Sequence, residues 1–179
     1  SDGYEDGTVY GYYNIPKLFG LQDTGSMESS GILQVRENPD LKLDGSGVLI
    51  GFVDTGIDYA GSIFLKQDGT TRVTAIWDQT IPAGSPIRLP AQPELPENIT
   101  RTPEGFLYGS EFTHEQLNAA VKMADAYEGI SSRDVNGHGT FLASIAAGNE
   151  LPDGSFTGAA PKADIAMVKL KPAKNRLRA

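Results

Sequence analysis

The stretch SGVLIGFVDTG, residues 46–56, constrains the fold more than any other part of the chain. A β-branched and aromatic run closed abruptly by Asp-Thr-Gly reads as a strand buried on both faces that stops at a sharp turn. Such a strand belongs at the centre of a sheet. The run is also far shorter than the roughly 20 apolar residues that a membrane helix requires.

Later segments of the chain supply partners for it. TRVTAIWDQT, residues 71–80, alternates enough to form a second strand, and KADIAMVKL, residues 162–170, reads as a third, buried one. Between the first two and the last lie Pro82, Pro86, Pro90, Pro93, Pro96 and Pro103, which forbid sheet or helix and predict a surface loop over Ile81 to Pro103. FTHEQLNAAVKMADAYEG, residues 112–129, predicts a helix: Thr113 and Gln116 have capping-box spacing, and Leu117, Ala120, Val121 and Ala124 form one apolar face. His114 in its first turn reads as a solvated end residue. A second helix is expected from about His138 to Ala147, closed by Gly148 as a C-terminal glycine. This succession predicts an α/β fold with a mainly parallel sheet and flanking helices.

With 179 residues, 39% of them hydrophobic, the chain can bury one sizeable core. Residues 1–30 mix Gly, Tyr and acidic residues without periodicity and are expected to form an irregular arm, with at most a short strand around TVYGYYNI, residues 8–15. Residues 31–179 form the domain, with an insertion over about 62–131. Fifteen basic against 23 acidic residues give a net charge of -8, which disfavours nucleic acid and anionic membrane surfaces as partners. The absence of cysteine rules out disulfides and thiolate chemistry and leaves the compartment open. The N-terminal SDGYEDG has neither the basic start nor the apolar stretch of a secretory signal.

Chemistry concentrates at two places. In open parallel sheets functional groups gather at the carboxyl ends of strands, where Asp54 stands. His138 is set between Gly137 and Gly139 at a helix start, a backbone context that leaves its ring uncrowded. Each has an ordinary alternative: Asp54 as a turn former and His138 as a polar helix end. Taken together they form two-thirds of a triad, with Asp54 accepting the proton of one ring nitrogen and freeing the other as a base.

VLIGFVDTGID, NGHGTFLASIAAG and FTGAAPKADIAMVKL resemble the aspartate motif, the histidine motif and the following strand of the subtilases, the subtilisin-like serine peptidases. GILQVRENPDL, AIWDQT and the run into VKLKPAK resemble the clostridial Csp-type germination proteases within that family. The resemblance covers about residues 31–174 and implies the amino-terminal portion of a truncated subtilisin-like catalytic domain, with Asp54 and His138 as catalytic residues of an Asp-His-Ser triad and peptide-bond hydrolysis as the reaction. The separation of Asp54 from His138, 84 residues, exceeds that of the simplest subtilases and matches the Csp-type pattern. Phe141 stands where subtilases often have a second histidine, and Ser144 where they often have glycine.

The family order is Asp, His, Ser, and no serine after His138 fits: Ser144 lies inside the helix, and Ser155 sits in a PDGSFTG turn. DTGSMES, residues 23–29, has its letters in the wrong order and precedes the aspartate, so Ser26 reads as a turn residue. Asn149 and Asn175 have no claim to the oxyanion hole. The nucleophile is therefore expected to be absent from this chain, which alone should be inactive.

The resemblance further implies protein or peptide substrates, a secreted or spore-associated bacterial location, and no cofactor; structural calcium is common in subtilases, but no residues here match a site. A sheet with an open edge is expected to self-associate or to pair with the remaining part of a catalytic domain. Two other readings stand beside the peptidase: a non-catalytic pseudoprotease or regulatory binder on the same fold, and a metal-dependent hydrolase using Asp54, Asp58, Asp134 and His138.

Overall fold

The computed structural model describes residues 24–41, 43–90 and 99–172. The expected strand at 8–15, together with Pro93, Pro96 and Asn175, lies outside the described residues. Four strands form one sheet: β1 (Leu49–Asp54), β2 (Val73–Asp78), β3 (Ser110–Thr113) and β4 (Asp164–Lys169), in the order β1-β4-β2-β3. The pairings of β4 with β1 and with β2 are parallel, and β3 returns antiparallel to β2. The α/β, mainly parallel reading of the sequence holds. β3 escaped it because SEFT is four residues long and runs straight into a helix cap.

Short helices α1 (Thr24–Ser29) and α2 (Ile32–Glu37) lead into the sheet, so the end of the expected irregular arm is helical. α3 (His114–Val121) opens on the predicted capping box: the Thr113 side chain accepts from the Gln116 N–H, and the Gln116 side chain accepts from the Thr113 N–H. It stops earlier than its apolar pattern suggests, and a single turn, α4 (Ala126–Gly129), follows under an Asp125 cap. α5 (His138–Ala147) matches its expected span. α5 packs on β1 and β4, and α3 on β2. The helix-covered face of the sheet buries Ile76, Phe112, Ile165 and Met167 with Leu117, Ala143 and Ala147, and Ile50 and Phe52 pack against this core.

Three expectations need correction. β1 is not central but an edge strand among the described residues, and it is buried on one face only: Leu49 is 61% and Val53 65% exposed. Its apolar run reflects composition rather than cover, because helices lie on one side of it. His114 is not a solvated end residue, since its Nε2 lies 2.9 Å from the carbonyl oxygen of Thr71. Gly148 does close α5, but with φ -64° rather than a left-handed turn. Space demands it there: a Cβ would stand 2.5 Å from the Ser144 carbonyl oxygen and 3.0 Å from Ile63 and Phe156.

The proline-rich segment is only partly a surface loop. Ile87 and Thr100 are buried, and the Ser110 hydroxyl lies 2.7–3.0 Å from Thr100 Oγ1 and the carbonyls of Ile81 and Pro82. Tyr59, also buried, reaches the carbonyls of Ala126 and Ile130 with its hydroxyl at 2.9 and 3.0 Å, tying α4 to the turn after β1. At the opposite end of the sheet the buried Arg72 donates to the carbonyls of Ile63, Ala147 and Ala163 and to Asn149 Oδ1. A cation at the carboxyl end of α5 complements the helix dipole, so Asn149 and Arg72 form a structural clamp.

Candidate active site

Asp54 is the last residue of β1, and His138 the first of α5. The chain delivers both to the carboxyl rim of the sheet, where His138 Nδ1 lies 2.8 Å from Asp54 Oδ1 and 3.0 Å from Oδ2. Two glycines make this approach possible. Gly137 turns the loop into the helix at φ 85°, a conformation that strains a side-chain-bearing residue. Gly139 sits so close to the turn after β1 that a Cβ would lie 2.2 Å from the carbonyl oxygen of Gly56 and 3.1 Å from Asp54 Cβ.

Burial pushes the Asp54 carboxyl up. Hydrogen bonds from His138 and from the Thr55 N–H outweigh it and hold the group below the usual carboxylate range. The ionised carboxylate only accepts, so Nδ1 carries the proton and donates. In the neutral ring Nε2 is then the lone-pair nitrogen. The Asp54 side chain is 15% exposed and that of His138 57%, so the carboxylate is sheltered while the ring faces outward. This arrangement can take up a proton from a group presented to Nε2 and hold the resulting imidazolium against a fixed negative charge.

A second tier of contacts holds the pair. Thr55 donates its N–H to Asp54 Oδ1 at 2.7 Å and its hydroxyl to Asp134 Oδ1 at 2.8 Å, and it accepts from the Gly139 N–H at 3.0 Å. Asp134 also accepts from the N–H groups of Gly137 and Asn136 and from both the N–H and the hydroxyl of Thr140. Those hydrogen bonds outweigh the effect of burial and keep its carboxyl low. The loop ahead of His138 is fastened again at Ser132, whose hydroxyl donates to Asp78 Oδ2 at 2.7 Å. The same oxygen lies 3.2 Å from Lys169 Nζ, in an ion pair whose carboxylate is 0% exposed. In register across the rim stand Asp54, Lys169 and Asp78, the last residues of three parallel strands.

Of the other metal-ligand candidates, Asp134 joins this cluster only as an acceptor behind the dyad, and Asp58 does not join it. Asp58 Oδ1 accepts from the Tyr127 hydroxyl, with Arg133 4.1 Å over the Tyr127 ring. Asp134 spends its lone pairs on Thr55, Thr140 and the loop N–H groups of Asn136 and Gly137. The donor set of a metal hydrolase is thus dispersed, and no group of three His, Asp or Glu among the described residues is placed to hold a metal ion. The Ser144 hydroxyl donates back to the Phe141 carbonyl within α5, and that of Ser155 to Asp153. Ser26 falls within α1. Sequence reasoning missed Thr55 and Thr140 altogether, and weighed Asp134 only as a metal ligand; the signal available was a threonine directly after Asp54, another two residues after His138, and an aspartate four residues before the histidine.

Comparison with known proteins finds relatives of this fold. The profile of the subtilase family matches residues 45–178. The subtilisin-like protease SBT3.8 of Arabidopsis thaliana is 30% identical over 141 residues, covering 70% of this chain and 16% of that protein, and SBT3.3 is 31% identical over 134 residues with the same coverage. Among solved structures, the CspB protease of Clostridium perfringens superposes with a TM-score of 0.62 at 30% identity, covering 87% of this chain and 26% of that one. The chain spans about 16% of the length of the curated relatives it matches.

Proposed function

This chain belongs to the subtilase family, and from that premise we propose that Asp54 and His138 are the orienting carboxylate and the general base of an Asp-His-Ser triad that hydrolyses peptide bonds. The observation that carries this reading is the 2.8 Å contact between His138 Nδ1 and Asp54 Oδ1, made across 84 residues of chain. In the reaction His138 Nε2 takes the proton from a serine hydroxyl as its oxygen attacks the scissile carbonyl, and returns it to the departing amine. Asp54 keeps Nδ1 protonated and stabilises the imidazolium. None of Ser26, Ser144 and Ser155 fits the part of nucleophile, so the 179 residues alone are inactive in this reading. Loss of the serine from such a triad lowers turnover by about 10⁶-fold, a magnitude that belongs to subtilisin itself and is carried over to this chain.

The test uses the full-length polypeptide that carries this sequence. It should hydrolyse a protein substrate and react at one serine with a fluorophosphonate. Asp54→Ala and His138→Ala should each lower turnover by at least about 10⁴-fold. Hydrolysis that persists in both variants refutes the assignment, and a folded protein with neither hydrolysis nor labelling indicates a pseudoprotease acting by binding.

A further inference from the structure

The helix that carries His138 lacks a cap of its own. Gly137, the residue before α5, has no side chain to accept from the first turn. The orphan N–H groups of a helix start need acceptors, and here they come from elsewhere in the chain. The Gly139 N–H goes to Thr55 Oγ1 at 3.0 Å, and the Thr140 N–H to Asp134 Oδ2 at 2.8 Å. On the other side of His138, the Gly137 N–H goes to Asp134 Oδ1 at 2.9 Å. His138 is therefore flanked on both sides by backbone donors fixed to one carboxylate and one hydroxyl. These two acceptors are themselves joined, Thr55 Oγ1 to Asp134 Oδ1 at 2.8 Å. Through its own N–H, Thr55 also grips Asp54 Oδ1.

We propose that Thr55 and Asp134 are positioning residues that set the orientation of the His138 ring toward Asp54, with Thr55 holding both members of the pair at once. The proposal rests on the peptidase reading for its functional consequence, but not for its geometry. Three features support a positioning role over a purely structural one. The contacts converge on the residues either side of His138 rather than on the core. Thr55 touches Asp54 and the helix start simultaneously, so its hydroxyl couples the positions of two elements. The Thr140 hydroxyl closes the circuit, donating to Asp134 Oδ2 at 2.7 Å while accepting from the Asp58 N–H at 3.0 Å, which fixes the turn after β1 against the same helix.

The experiment uses the full-length polypeptide and two readouts. One is the downfield proton resonance of the hydrogen-bonded His138 Nδ1–H, assigned by its disappearance in His138→Gln. The other is the split between kcat and KM. Thr55→Val keeps the shape and removes the hydroxyl; Asp134→Asn places an amide donor against N–H and O–H donors. Both should abolish or broaden the resonance while the protein stays folded. Both should lower kcat by about 10²-fold with KM nearly unchanged, the scale expected when a reacting group is misplaced by about 1 Å. Thr55→Ser, which retains the hydroxyl, should retain the resonance. Thr113→Ala, which removes the distant α3 cap, should lower stability and leave the resonance in place. A sharp, unshifted resonance in Thr55→Val overturns the proposal, whether or not Asp134→Asn folds. Loss of the resonance in Thr113→Ala also overturns it, because general destabilisation would then account for the effect. A resonance that behaves as expected in a protein that hydrolyses nothing leaves the positioning role intact and defeats the peptidase reading instead.

Discussion

Gly139 and Gly56 meet backbone to backbone, so closely that a single added methyl on Gly139 would fall 2.2 Å from the Gly56 carbonyl oxygen. Neither neighbour is a flexible side chain that could step aside. The helix carrying His138 and the turn following Asp54 are thus in direct contact, and the dyad sits on that seam.

Gly139→Ala should therefore destabilise the fold by about 3 kcal/mol or prevent folding, the range expected when a packed interior is overfilled against backbone. Gly137→Ala meets open space and suffers only its φ of 85°, which costs about 1–2 kcal/mol. Denaturant melts of the two variants should rank them in that order; an equal or reversed ranking would show that the seam can relax.

The ion pair under the rim provides a second test. Asp78 is fully buried and shares Oδ2 between Lys169 and Ser132. Lys169→Met leaves that carboxylate without its cation and should cost about 3–5 kcal/mol, whereas the double change Lys169→Met with Asp78→Asn should recover a part of the loss. Chemical denaturation of the single and double variants checks this, and a single variant as stable as the parent would remove the pair from the account of the rim.

Acid should unfold the protein through its held carboxylates. Asp54 and Asp134 both titrate below their ordinary value of 3.8 in the folded state, so the stability they contribute is complete above that pH and disappears as pH falls below it. Melting temperature should be flat from neutrality down to about pH 5 and drop below about pH 4. Asp134→Asn should make that acid limb shallower; an unchanged limb would mean that other carboxylates dominate it.

Alkali should act through two phenols. Burial raises Tyr59, and burial with the hydrogen bond to Asp58 raises Tyr127, above the ordinary value of 10.0. A raised acid contributes stability below its unfolded value and loses it as pH rises beyond, so unfolding should become easier above about pH 10. Tyr127→Phe, followed by absorbance of ionised tyrosine, should weaken this limb; full tyrosine ionisation at about pH 10 without unfolding would contradict the burial of both rings.

The open edge of β1 makes the isolated 179-residue chain a candidate for self-association. Leu49 and Val53 face outward from a strand whose far side no described element pairs. Light scattering should give a mass above 19.1 kDa that rises with concentration, and Val53→Lys should lower it. A monomer at every concentration would speak against the expectation.

Much of this arrangement is legible in the sequence. Asp54 and His138 each carry a local signature, an abrupt strand end and a glycine-flanked helix start, and capping signals, apolar runs and periodicity locate α3, α5 and three of the strands. Cover and partnership resist such reading. The continuous apolar run through Leu49, Gly51 and Val53 says nothing about whether a second layer lies over that face. Whether His114 meets water or the Thr71 carbonyl depends on a fold-level contact between α3 and the start of β2. Thr55 reads locally as a turn residue because its hydrogen bonds run to Asp54, Asp134 and Gly139, the last two about 80 positions away.

The interval between the two dyad members is pinned at both ends by groups that belong to the rim itself. Joining two such anchors with a segment twice as long costs only about 0.6 kcal/mol more in closure entropy. The span after β2 is accordingly a plot on which new surface can be grown, by divergence or by a protein engineer's graft, while the distance from carboxylate to imidazole stays as it is.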